Sequence, residues 1–203
     1  MSVINQAEKV INFKVVFYGP GVAGKTANLQ YIHQCLPESN KRNMISLATG
    51  DDRTIFFDFL PVTAVNVRGF STRFQLYTVP GQVHYNMTRR LVLRGADGIV
   101  FVADSQWDRM KENVESLRNL DENLREYRTS LDEIPYVLQY NKRDLTNVAS
   151  VDYLEYLLNR RDKRVPSFEA VATHGKGVFD ALNTVCRMVL AGEFGNVQAK
   201  GAS

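Results

Sequence analysis

Gly19-Pro20-Gly21-Val22-Ala23-Gly24-Lys25-Thr26 decides how this chain is read. The stretch fits G-x-x-x-x-G-K-[ST] without a gap. Ahead of it, Val15-Val16-Phe17-Tyr18 reads as a buried strand. Behind it, Ala27-Asn28-Leu29-Gln30-Tyr31-Ile32 reads as a helix. A loop in that setting aims backbone N–H groups and the positive end of a helix dipole at one anion. Its glycines let main chain approach a phosphate closely. The loop from Gly19 to Ala27 is therefore a candidate phosphate cradle. In it Lys25 reaches the β- and γ-phosphates of a nucleotide, and the Thr26 hydroxyl binds Mg²⁺.

Outward from the loop, apolar runs alternate with helical patterns, the signature of an α/β domain with a mostly parallel sheet. Strands are expected at Ile11–Tyr18, Ile99–Ala103, Ile134–Tyr140 and Phe168–Ala172. Helices are expected at Thr26–Leu36, Asp108–Tyr127, Val151–Asn159 and Val178–Leu190. In the second of these Met110, Val114, Leu117, Leu120, Leu124 and Tyr127 recur three or four apart and make one apolar face. Val65-Asn66-Val67, Arg68-Gly69 and Thr72–Val79 read as an antiparallel hairpin, which supplies an antiparallel edge to the sheet. Pro37–Thr54 is polar and without clear period, as functional segments inside compact domains often are.

Asn141-Lys142-Arg143-Asp144 follows the apolar strand that ends at Tyr140, and the carboxyl ends of strands are where open α/β sheets bind ligands. Asp144 can accept hydrogen bonds from the N1–H and N2 amino group of guanine, a pattern adenine does not offer. Asn141 can tie this loop to the phosphate loop, and the Lys142 stem can cover the face of the base. After the last expected strand, Ala172 and Thr173 are small enough for backbone N–H groups to reach the guanine O6.

The succession of phosphate loop, polar switch, hairpin, Gly81-Gln82, N-K-x-D and small-residue loop resembles the Ras-like small GTPases over about residues 10 to 192. More narrowly, the chain resembles the MglA family of bacterial small GTPases. The resemblance is carried by Tyr18–Thr26, Phe56-Phe57-Asp58-Phe59-Leu60-Pro61, Thr72-Arg73-Phe74, Leu76–Val83, Leu93–Ser105 and Asn141–Leu145. It implies a three-layer P-loop fold with a mostly parallel six-stranded sheet and one antiparallel edge strand, and it allows an extra N-terminal strand. It also implies GTP and GDP as substrate and product, Mg²⁺ as cofactor, and a role in cell polarity and gliding or pilus-based motility. Its implied partners are a dimeric activator of the Roadblock/LC7 type, MglB-like, and polar effectors that bind the GTP form.

Ras-like proteins carry Asp-x-x-Gly before the second switch, whereas this chain has Thr78-Val79-Pro80-Gly81, a Thr that the MglA family shares. A neutral hydroxyl holds Mg²⁺ more weakly than a carboxylate. Asp58 is a candidate substitute or, equally, a polar-face residue of an alternating strand. Gln82 matches the residue that orients the attacking water, and Gly81 lies beside the nucleotide. Thr54 matches the switch Thr that binds Mg²⁺ when the γ-phosphate is present. Arg53 is either a surface residue paired with Asp51 or Asp52 or an arginine finger in cis, and the resemblance favours the finger. His84 reads as a surface residue. Arg89, Arg90 and Arg94 read as solvated helix faces.

The composition bounds the rest. The chain has 203 residues, 44% hydrophobic and 23% charged, which suits one globular domain. Residues 1–193 read as that domain and 194–203 as an unstructured Gly-, Ala- and polar-rich tail. With 25 basic against 22 acidic side chains, the net charge of +3 gives no electrostatic case for nucleic acid. Cys35 and Cys186 fall in apolar helical stretches and read as buried thiols, which fits a cytoplasmic setting. No signal peptide, membrane span or lipidation site is evident, so the protein is expected to be a cytoplasmic monomer, recruited to a cell pole in the GTP state.

Overall fold

The computed structural model describes residues 3–5, 9–37, 45–49, 53–67, 70–81, 85–160 and 164–200, with the backbone alone at 3–5, 45–49, 53–67 and 195–200. The elements in chain order are β1 (Val3–Asn5), β2 (Val10–Tyr18), α1 (Lys25–Cys35), β3 (Ile45–Thr49), β4 (Arg53–Val67), β5 (Phe70–Thr78), α2 (Asn86–Leu93) and β6 (Gly98–Asp104). A 3₁₀ turn (Trp107–Arg109) then leads into α3 (Met110–Arg125), β7 (Tyr136–Asn141), α4 (Val151–Leu158), β8 (Ser167–Glu169) and α5 (Val178–Lys200).

The sheet has 8 strands in the order β3-β4-β5-β2-β6-β7-β8, with β1 paired antiparallel to β2. The pairings of β2 with β5 and β6, of β6 with β7, and of β7 with β8 are parallel. The extra N-terminal strand that the resemblance allows is present as β1, which lies on Val10–Asn12 beside the part of β2 that β6 leaves uncovered. With it counted, the six-stranded expectation is short by one strand, β3, inside the polar segment expected to lack regular structure. Ile45, Leu47 and Thr49 are too few to announce a strand against the charged residues around them.

The hairpin is as expected: β4 pairs antiparallel with β5 from Phe59↔Tyr77 to Val67↔Phe70, with an irregularity between Ala64 and Asn66. β4 also runs on past the end of β5. Its residues from Arg53 to Asp58 pair with β3, as Thr49↔Arg53, Ala48↔Thr54 and Ser46↔Asp58.

Alternation along the buried strands builds two cores. Phe13, Val15 and Phe17 of β2 with Val100 and Val102 of β6 face Leu29 and Ile32 of α1 and Val178–Val189 of α5. Val16 and Tyr18 with Ile99, Phe101 and Ala103 face Val92 and Leu93 of α2, Leu120 and Leu124 of α3, and Leu154 and Leu158 of α4. Strands buried on both faces are the mark of a parallel sheet between helix layers, so the three-layer expectation holds.

Three details differ from the sequence reading. The last helix continues to Lys200 where an unstructured tail is expected, with Phe194 still packed on the first core. Cys35 is exposed, because Asn28, Ile32 and Leu36, spaced four apart, take the inward stripe of α1. Cys186 is half-buried, and burial pushes its thiol up to about 12. Among the described residues no helix is long and apolar enough to cross a membrane.

Candidate nucleotide site

The phosphate loop lies between β2 and α1 at the carboxyl end of the sheet. Gly19 has φ 145, and a Cβ there would collide with the Val102 carbonyl of the neighbouring strand. Gly24 caps α1 with φ 99, and a Cβ there would collide with the Asn141 amide. Only glycine satisfies both limits. Val22 holds φ 63 and is 73% exposed, a strained backbone for a β-branched residue. Ala23 is buried.

The N-terminus of α1 has no side-chain cap and no acidic residue in its first turn, so its positive end is uncompensated. Lys25 is buried there and donates from Nζ to the carbonyls of Gly19 (3.0 Å) and Pro20 (2.6 Å). Arg109 donates to the Gly21 carbonyl at 3.1 Å. Three carbonyls of the loop are thereby held by cationic side chains. Thr26 and Ala27 follow in the first turn of α1, with Thr26 half-buried.

Asn141 joins the loops. Its Nδ2 donates to the Ala23 carbonyl at 2.8 Å, and its Oδ1 accepts from the Ala172 amide at 2.9 Å. The expected tie to the phosphate loop is therefore present, and it extends to the small-residue loop as well. Lys142 has φ 65 and its ammonium pairs with the fully buried Asp104 at 2.6 Å, so its stem is stretched along the site. Asp144 and Thr173 stand exposed at the same end of the sheet.

On the other side, Thr78 is fully buried at the end of β5. Gly81 lies against Gly21 so closely that a Cβ on it would overlap Gly21 and fall 2.7 Å from the Pro20 carbonyl carbon. Arg53 and Thr54 lie at the sheet's ligand end by register, since antiparallel β4 begins where parallel β5 and β2 finish. Their side chains lie outside the description, as do Gln82 and His84.

Sequence reasoning missed several contributors. Asn28 and Gln139, both fully buried, exchange two amide hydrogen bonds of 2.9 Å between α1 and β7, and Asn28 also donates to the Gly24 carbonyl. The signal was available: Gln139 is a lone polar residue in a strand buried on both faces. Asp104 gave a similar one. Helix α2 is expected only as a solvated face of arginines, without bounds, and Arg89 within it is not solvated but 3% exposed. It donates to the carbonyls of Pro80 (2.9 Å) and Gly81 (2.8 Å) and to Asn119 Oδ1 (2.8 Å). Its acceptors Gly81, Pro80 and Asn119 lie 8, 9 and 30 residues away, outside the three-to-four spacing of a helix, which is why spacing conceals them.

A buried lysine at an uncapped helix N-terminus, glycines whose Cβ positions are filled, and a base-side loop locked to the phosphate loop define a nucleotide-binding P-loop domain. The sequence model of the Ras family matches residues 14–191, and the chain belongs to that family of small GTPases. It is 54% identical over 190 residues to the mutual gliding-motility protein MglA of Myxococcus xanthus (strain DK1622), covering 94% of this chain and 96% of that protein. It is 29% identical over 194 residues to the Ypt/Rab-type GTPase ypt71 of Schizosaccharomyces pombe (strain 972 / ATCC 24843), covering 92% and 86%. Within the Ras family it is of the MglA kind.

Proposed function

We propose that the chain is a molecular switch that binds GTP and GDP with Mg²⁺ and hydrolyses GTP to control cell polarity and motility. The observation that carries this reading is the Asn141 bridge, which locks the base-side loops to the phosphate loop at the uncapped end of α1. Lys25 and the amides of Gly21–Thr26 hold the phosphates, while Asp144, the Lys142 stem, Ala172 and Thr173 take guanine. The hydroxyls of Thr26 and, when GTP is bound, Thr54 are the Mg²⁺ ligands, with Thr78 behind them.

The donor set fits such an ion. Thr26 and Thr78 stand at the phosphate end, and among the described residues no cluster of His, Cys, Asp or Glu could hold a metal alone. Hard neutral oxygens of this kind suit a cation that keeps waters and arrives on the phosphates. When bound, Mg²⁺ neutralises charge developing on the β- and γ-phosphate oxygens.

Hydrolysis then needs an oriented water and a further cation, the roles of Gln82 and Arg53. The start of β4 lies at the ligand end, the right side of the sheet for a finger in cis. An activator of the Roadblock/LC7 type need only position Arg53 and Gln82. The GTP form engages polar effectors in the cytoplasm.

The test is single-turnover GTP hydrolysis, alone and with the Roadblock-type protein of the same organism. Stimulation should vanish in Arg53→Ala and Gln82→Leu with GTP binding retained. A finger is worth roughly 10³ to 10⁵ in rate. Tight GTP binding with no turnover under any condition would instead make the protein a GTP-binding polarity scaffold and leave Thr78 as the residue to explain.

A further inference from the structure

Arg89 is the least expected side chain in the molecule. The residue is only 3% exposed, and among the described residues no carboxylate pairs with its guanidinium. Burying a cation without a counter-charge is unfavourable, and an apolar side chain of similar size would stabilise the α2–α3 contact more simply. The charge is instead distributed over oriented dipoles. Nε donates to the Pro80 carbonyl, Nη2 to the Gly81 carbonyl and Nη1 to Asn119 Oδ1. The Tyr18 ring lies 5.8 Å from the guanidinium carbon.

Asn119 is itself fixed. It accepts from the Tyr18 hydroxyl at 2.6 Å and donates to Asn86 Oδ1 at 3.1 Å, and Asn123 donates to Tyr18, Asn86 and Asn119. The fork of Arg89 is thus clamped between α3 and the main chain at Pro80–Gly81. That main chain is the segment packed on Gly21 of the phosphate loop.

The geometry has a direct corollary. In a trans peptide the C=O and N–H point opposite ways. Holding the Pro80 carbonyl toward Arg89 therefore turns the Gly81 N–H away from it, and holding the Gly81 carbonyl sets the peptide that leads into Gln82. Lys25 on Gly19 and Pro20, and Arg109 on Gly21, hold the facing loop by its carbonyls in the same manner.

Resting on the proposed GTPase reading, we propose that Arg89 is a positioning residue for hydrolysis. It sets the Gly81 N–H and carbonyl relative to the γ-phosphate, and it ties that setting to α3 through Asn119. A lysine could keep the charge but not the three-way fork.

The experiment uses the full chain with Arg89→Lys, Arg89→Ala and Asn119→Ala. It measures GDP affinity, affinity for a non-hydrolysable GTP analogue, and single-turnover hydrolysis at saturating GTP. Arg89→Lys should bind GDP within about threefold of the parent yet hydrolyse GTP about 10- to 100-fold more slowly, the scale of a misplaced reacting group. Millimolar guanidinium should restore part of the rate to Arg89→Ala, and ammonium should not.

Asn119→Ala keeps both carbonyl bonds and decides the matter if the Arg89 variants do not fold. It should slow hydrolysis about 3- to 10-fold at unchanged GDP affinity, as loss of an outer supporting bond does. Hydrolysis within threefold of the parent in a folded variant would overturn the proposal. So would a fall in GDP affinity that matches the fall in rate, since that marks a purely structural role. Failure of the parent itself to hydrolyse GTP would overturn the underlying function, and is read before any variant is made.

Discussion

Asn141→Ala removes a side chain only 2% exposed that bridges two loops. Its loss orphans the Ala23 carbonyl, which now accepts from Nδ2 at 2.8 Å, and the Ala172 N–H, which now donates to Oδ1 at 2.9 Å. An unsatisfied buried polar group costs about 1–3 kcal/mol, so the pair costs roughly 2–6 kcal/mol. That is a large part of the roughly 5–15 kcal/mol that holds a typical domain folded. At about 2–4 °C per kcal/mol for a domain of this size, Tm should fall by roughly 5–20 °C. A water entering the gap would bring the value to the low end.

Asn141→Asp sharpens the test because it keeps size and the acceptor for Ala172 but sets a carboxylate oxygen against the Ala23 carbonyl. The folded state then prefers the protonated acid, so the folded pKa rises above the unfolded value of about 3.9. An acid with a raised folded pKa is penalised only above its unfolded pKa. The deficit should be least near pH 4 and grow with pH until the raised value is passed. Urea titrations with saturating GDP, across pH 4 to 8, measure both variants. A loss below about 0.5 kcal/mol in Asn141→Ala, a size typical of neutral surface changes, or a pH-independent deficit in Asn141→Asp, would refute the bridging argument.

Three further outcomes follow from the same geometry. Gly81→Ala should destabilise the protein and slow turnover, because its Cβ meets main chain of Gly21 and Pro20. Gly21→Ala should leave stability unchanged, as its nearest neighbours lie at 3.8 Å, so any turnover defect in it arises from the bound γ-phosphate. Thermal melts and single-turnover assays compare the two. Burial works to raise the Glu155 carboxyl, but hydrogen bonds from Ser167, Tyr140 and Asn159 outweigh it and hold it below the ordinary glutamate range. Glu155→Gln should therefore lose stability at neutral pH and match the parent once pH falls below that depressed value, as pH-dependent melts would show. At pH 8 a thiol reagent should label exposed Cys35 quickly and Cys186, its thiol raised to about 12, hardly at all.

The parts of this fold that were legible in sequence are those with strong local signals. The phosphate loop has fixed spacing, β6 is an apolar run up to Asp104, β7 is one interrupted by Gln139 alone before Asn141, and α3 keeps a three-to-four period. Strand β3 was not legible, and α2 only as a face of arginines without bounds. β3 is short, and α2 presents Met87 and Leu91 to solvent while it buries Arg89 beside Val92 and Leu93, so apolar and charged residues mix on both of its faces. In the site, Asn141 could be read because its motif names it. Arg89 and Asn119 could not, because their roles come from partners as far as 101 residues away, and Gln139 shows in the sequence only as a lone polar residue, with nothing to name its partner Asn28 111 residues away.

The unequal pairing of β4 divides one strand between two cooperative units. Residues 60–67 are laced to β5 and through it to the centre of the sheet, whereas Arg53–Asp58 have β3 alone beside them. A two-stranded ribbon is marginal on its own, while central strands open only with the whole domain. Amide hydrogens along this strand should accordingly exchange in two classes. The outer class would report the opening of the ribbon that carries Arg53 and Thr54, and the inner class the unfolding of the domain. A GTP-dependent slowing confined to the outer class would measure, in free-energy units, how strongly the nucleotide clamps that ribbon.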